Sequence, residues 1–177
     1  MKIIVLITAF LCLVPKNDEA VAWREDLKLQ WNDFKGKPDN SKSAVAITAS
    51  GITFGYAINE TENRVTDFEV TATAHFYPDK SWYKPERVND TILDHERLHF
   101  DITEWHVRKL RLRIGQLKPN NQVRGQLDKL YQEAVRELQA TQKLYDAETD
   151  HSRKLEQQLL WQKKVAMELK KLEKFRE

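Results

Sequence analysis

The feature that most constrains this chain is a change of period near its midpoint. Over residues 65–77 polar and apolar side chains alternate: Phe68, Val70, Ala72, Ala74 and Phe76 fall on one face, Glu69, Thr71, Thr73 and His75 on the other. Period two is the pattern of a strand with one face buried. Beyond Pro78 and Pro85 the apolar residues recur in steps of three and four, which is the pattern of helices packed by one stripe. Asn89 or Asp90 can cap a first helix over about residues 91–113, with Gly115 and Pro119 past its end. A second helix is expected over about residues 123–147, with Leu127, Tyr131, Ala134, Leu138 and Thr141 on one stripe. A third should run from about Arg153 to the C-terminus, capped by Asp150 or Ser152 and carrying Leu155, Leu159, Val165, Leu169 and Leu172. Upstream, residues 44–58 are rich in small and β-branched side chains, and the polar connection 59–63 would join them to residues 65–77 as an antiparallel pair. Residues 23–34, where Leu27, Leu29 and Trp31 alternate, read as a short strand or extended segment. The expected class is α+β, a small antiparallel sheet followed by helices.

At 177 residues the chain suits a single domain. Its 29 basic and 27 acidic residues nearly cancel, so a net charge of +2 gives no reason to expect nucleic acid or an anionic membrane as partner. Mean hydropathy is −0.66. The one long apolar run, residues 3–14 behind Lys2, falls short of the ~20 residues a membrane span needs. It is followed by polar residues and by Ala20-Val21-Ala22, small residues of the kind a signal peptidase accepts. Residues 1–22 therefore read as a signal peptide cleaved after Ala22, leaving residues 23–177 as one exported domain, periplasmic or secreted, with no stable membrane insertion. Cys12, the single cysteine, would leave with the signal, so the mature chain would hold no disulfide.

One motif carries chemistry: His95-Glu96-Arg97-Leu98-His99, within the first expected helix. At ~100° per residue His95 and His99 lie ~40° apart on adjacent turns, so both imidazoles can converge on one ion. Glu96 sits ~100° round from His95, at the edge of that face. From there a carboxylate can serve a metal-activated water as general base without ligating the metal.

A catalytic zinc commonly has three protein ligands. Glu104 and Asp101 lie ~180° and ~240° round the helix from His95. His106 returns to the correct face, but ~10 Å along the axis from His99, and residues 100–105 contain no glycine to break the helix. His75, on a strand's polar face, and His151, at the junction of the second and third helices, are left. His151 is favoured, because a junction can fold back over the first helix. The carboxylates of the segment from Tyr145 to His151 could then orient the imidazoles.

These residues resemble a bacterial family of unknown function whose members are described as predicted secreted zinc-dependent proteases. The resemblance rests on Leu29-Gln30-Trp31-Asn32-Asp33-Phe34-Lys35-Gly36, on the stretch from His95 through Glu104, and on the segment from Tyr145 to His151 with Gln158 and Trp161 after it. It implies a zincin-like fold, Zn2+ at His95 and His99 with His151 as third ligand, and Glu96 as general base. It also implies a peptide or protein substrate. Tyr145 matches the same segment and is a candidate to stabilise the oxyanion. A peptide would dock along a sheet edge such as residues 65–77. The competing reading is a non-catalytic cell-envelope binding module whose zinc is structural, closed by a fourth donor such as His75 or Glu148.

Overall fold

The computed structural model describes residues 20–176. The bulk of the expected signal peptide, including Cys12, lies outside the described residues. Its last three residues do not: Ala20 leads into Val21–Ala22, which form strand β1 and pair antiparallel with Phe76 and His75. Cleavage after Ala22 would fall where β1 meets Trp23.

The chain then builds β2 (Ala46–Ile47), β3 (Ser50–Thr61), β4 (Arg64–Phe76) and β5 (Trp82–Tyr83), followed by α1 (Asp90–Ile114), α2 (Val123–Thr149) and α3 (Leu155–Lys171). The α+β architecture is the one expected. β3 and β4 form a long hairpin whose register runs from Ser50↔Phe76 to Thr61↔Arg64. Its two-residue turn, Glu62-Asn63, has both φ angles positive, the conformation that suits the strands' right-handed twist. The strands therefore run further than expected, and the polar stretch near residue 60 is part of the ladder. Ile52, Ala72, Ala74 and Phe76 are buried on the inner face, while the Thr and acidic face is turned to solvent.

Of the short strand or extended segment expected over residues 23–34, the strand does not form. Past β1 they form irregular backbone and a short 3-10 turn, Trp31–Asp33, with the Gln30 backbone N–H donating to the Asp33 carboxylate. Their apolar residues anchor the loop: Leu29 and Phe34 are buried, and Trp31 stacks on Tyr83 with centroids 4.8 Å apart. Gly36 permits close backbone approach here, because a Cβ would stand 2.7 Å from the Ser81 carbonyl oxygen.

Helix α1 is central to the fold. Asn89 caps it by accepting from the Ile92 N–H at 3.0 Å. One side packs on the hairpin through Phe100 and Phe76, and the others receive α2 and α3. α2 runs back along α1, whereas α3 runs with it: Gln158 meets His95, and the Leu169 carbonyl accepts from Arg108 further on. Arg108 is fully buried, its charge met by Glu104 at 2.8 Å and Glu173 at 3.2 Å, which ties the end of α3 to α1. Among the described residues no helix is long and apolar enough to cross a membrane.

Candidate metal centre

The spacing of the motif and the path of α2 together make the site. α1 stacks His95 and His99 on consecutive turns, both pointing at α2, with ring centroids 4.8 Å apart. On α2 the apolar stripe Leu127, Ala134, Leu138 turns polar as it reaches these histidines. It continues as Gln142, Tyr145, Asp146 and Thr149, still at helical spacing.

Three atoms converge. His95 Nε2 and His99 Nε2 are 3.2 Å apart, and each lies 3.1 Å from Asp146 Oδ1. Donors on a tetrahedral ion with bonds of ~2.0 Å stand about 3.3 Å apart, so the triangle has the right edges to seat one. Among the described residues these three form the group able to hold a metal ion.

The tautomers follow from the second partner of each ring. Gln142 donates its amide N–H to the His99 carbonyl at 2.8 Å, which turns its Oε1 onto His99 Nδ1. On the other ring, Gln158 Oε1 faces His95 Nδ1 at 3.1 Å and also accepts from the Tyr145 hydroxyl at 2.7 Å. Both Nδ1 atoms are therefore the N–H donors, and both Nε2 atoms are bare lone pairs aimed at a carboxylate oxygen. Three acceptors with no proton between them repel one another unless a cation sits among them. Gln158 Nε2 is left buried without a partner, the cost of aiming its oxygen at two donors.

The surrounding charges agree. Burial lowers His99's affinity for a proton, but Asp146, Glu96 and Gln142 outweigh it, and its pKa is raised. Burial likewise works against the Asp146 carboxylate, yet the two imidazoles set against it hold its pKa far below the usual range. The negative charge that raises the proton affinity of His99 would favour a metal ion for the same reason. Glu96 is nearly buried, and its carboxylate takes no hydrogen bond from the described residues. Thr48 Oγ1 donates to the Glu96 carbonyl at 3.1 Å, bringing the start of the β-hairpin across this turn of α1.

The three-donor group differs from the expected one at one position. Asp146, not His151, completes the triangle: α2 runs straight through residue 146, and its side chain leaves the helix on the face that meets α1. His151 is close by, Nδ1 3.7 Å from Asp146 Oδ1, but its side chain is 69% exposed. Tyr145 is at the site without facing its opening. Its ring stacks on His95 at 4.4 Å, its hydroxyl is spent on Gln158, and burial drives its pKa up, so it braces His95 and has no proton free for an oxyanion. His75 is on the outer sheet face with Thr53, and Glu148 accepts from Trp161 Nε1, so neither reaches the triangle. His106 packs against Thr141, as a residue outside the site would.

Residues 24–152 match the model of a family described as "Bacterial protein of unknown function (DUF922)". The chain belongs to this family. No curated protein and no solved structure matches it. The family match ends at the α2–α3 turn, so it includes His95, Glu96, His99, Gln142 and Asp146 but not Gln158, which this chain contributes from α3.

Proposed function

We propose that this DUF922 chain is an exported zinc-dependent peptidase, with His95, His99 and Asp146 as zinc ligands and Glu96 as general base. The observation that carries the reading is the triangle of three converging donor atoms with a nearly buried carboxylate on the next residue of the helix. Two imidazoles and one carboxylate suit zinc, and three protein donors leave a position open, as a catalytic site requires and a structural site does not. When bound, the ion would lower the pKa of water and polarise a carbonyl.

The protein's own groups account for the rest. Gln142 and Gln158 fix the imidazoles, and burial of His95 and Glu96 keeps bulk water from the base. Glu96 takes the proton of the attacking water and returns it to the amide nitrogen as the C–N bond breaks. β4 cannot serve as the docking edge beside the site, since β1 covers it at His75 and Phe76. β3 is an edge strand, and Ser50 at its start bonds Thr103 on α1, one turn beyond His99. An extended peptide would pair there.

The test is Glu96→Gln in the full chain, with zinc content measured by mass spectrometry and hydrolysis followed on labelled casein. Zinc should be retained while the rate falls by about 10²–10⁴. Equal rates for variant and wild type would exclude Glu96 as the base. A wild type that takes up no zinc would end the reading altogether.

A further inference from the structure

The turn between α2 and α3 holds an unusual backbone. Asp150, His151 and Ser152 have φ angles of 51°, 51° and 73°, three successive residues in the left-handed region and none of them glycine. There a Cβ crowds the neighbouring carbonyl, and such residues persist only where the surroundings hold them. Hydrogen bonds do so here: the His151 N–H donates to the Asp146 carbonyl at 2.9 Å and the Lys154 N–H to that of Thr149 at 2.8 Å. Arg153 grips the Asp150 carboxylate through two nitrogens, at 2.9 and 2.7 Å.

Burial of His151 does not explain the conformation, because its ring is mostly in solvent. What the turn achieves is placement. Asp146, with its side chain 32% exposed, is the most open of the three donors, so the triangle faces solvent on its side. His151 stands on that side, 3.7 Å from Asp146 Oδ1, too far for a hydrogen bond and outside the three-donor group. A peptidase also needs a hydrogen-bond donor facing the carbonyl oxygen, and the Tyr145 hydroxyl is committed to Gln158.

We propose that His151 is a catalytic residue and not a ligand: its ring N–H donates to the oxygen of the scissile carbonyl as that oxygen gathers charge. The left-handed turn holds it beside the open side of the triangle. This rests on the peptidase reading above. No proton leaves His151 in the step. The hydrogen bond strengthens as water adds to the carbonyl carbon and relaxes when the carbonyl re-forms and the amine departs with the proton that Glu96 carried.

The experiment uses the full chain with His151→Ala and His151→Gln, zinc affinity measured by competition with a chromophoric chelator. Acetohydroxamate serves as the probe, a small oxyanion that needs only an open zinc and one donor. Zinc affinity should be unchanged in both variants. Acetohydroxamate should bind about tenfold more weakly to the alanine variant, with glutamine, which keeps an N–H, restoring part of the loss. A tenfold or greater loss of zinc affinity on His151→Ala would make His151 a ligand and overturn the proposal. Equal acetohydroxamate binding by wild type and the alanine variant would overturn it too, as would a zinc-loaded wild type that does not bind the probe. Failure of the wild type to take up zinc would instead remove the peptidase reading on which it stands.

Discussion

Helix α1 points three histidines at α2, and its two ends treat them in opposite ways. At His95 and His99 the facing residues are Asp146 and Gln142, with Glu96 alongside, and His99's pKa is raised despite burial. Two turns on, burial itself pushes the pKa of His106 down to about 4, and Lys109 and Arg113 add to it more than Glu137 relieves. Glu137 is largely spent on the same two cations, at 2.6 and 2.7 Å. Burial is common to both ends, so burial does not make a metal site. What differs is the sign of the charge delivered by the neighbouring helix turns and whether a carboxylate is free to share.

The comparison breaks most severely at Asp146. Zinc that binds only the folded chain stabilises it by about 4 kcal/mol when supplied at a thousand times its Kd. Thermal melts with and without zinc should show that gain in the wild type and none in Asp146→Ala, since the variant's first end then has no carboxylate between its histidines, just as the His106 end has none free to share. A variant stabilised as much as the wild type would mean that His151 or another group holds the ion.

The His106 end gives the next largest effect. A histidine held neutral in the fold, with a pKa of about 4 against 6.5 unfolded, contributes stability that is fully present above pH 6.5 and lost as pH falls towards 4. The difference corresponds to roughly 3 kcal/mol. Urea unfolding of the chain between pH 7 and pH 4 should show this slope, and His106→Gln should flatten it. If the variant keeps the full slope, the acid sensitivity arises elsewhere.

How much of this was written in the sequence depends on whether a residue's partner is local. The period-two run of β4 and the 3.6-residue stripes of α1 to α3 gave the hairpin and three helices, because each pattern repeats within its own element. The two-residue strands β1, β2 and β5 leave no period to read, and residues 23–34 alternate only because Leu29 and Phe34 anchor a loop. His95, Glu96 and His99 were legible because helical geometry alone brings them together. Asp146 was not, since α2 must pack on α1 before it can meet them, and a search for a third histidine led to His151, which lies outside the three-donor group. A signal existed: the stripe of α2 turns from Leu138 to Gln142, Tyr145, Asp146 and Thr149 without losing its spacing, and a polar run on a buried face must have something to bind.

Two smaller perturbations sharpen the contrast by touching one end only. Gln158→Leu removes the acceptor that fixes His95 Nδ1 and should weaken zinc about 10–100-fold by chelator competition, while leaving the acid slope set by His106 in place. Thr141→Val is its counterpart at the other end. Thr141 Oγ1 bonds His106 Nε2 at 2.9 Å and donates to the Glu137 carbonyl one turn back, so the substitution leaves a buried ring nitrogen without its partner. His106 Nδ1 already lacks one, and the variant would hold a fully unsatisfied imidazole among apolar and cationic neighbours. Unfolding should become easier by about 1 kcal/mol at pH 7. Zinc affinity should not move, even though Thr141 precedes Gln142 in sequence, because the two side chains leave α2 towards different turns of α1. A loss of zinc in Thr141→Val would show that the two ends are coupled through α2, and the contrast between them would then describe one network instead of two environments.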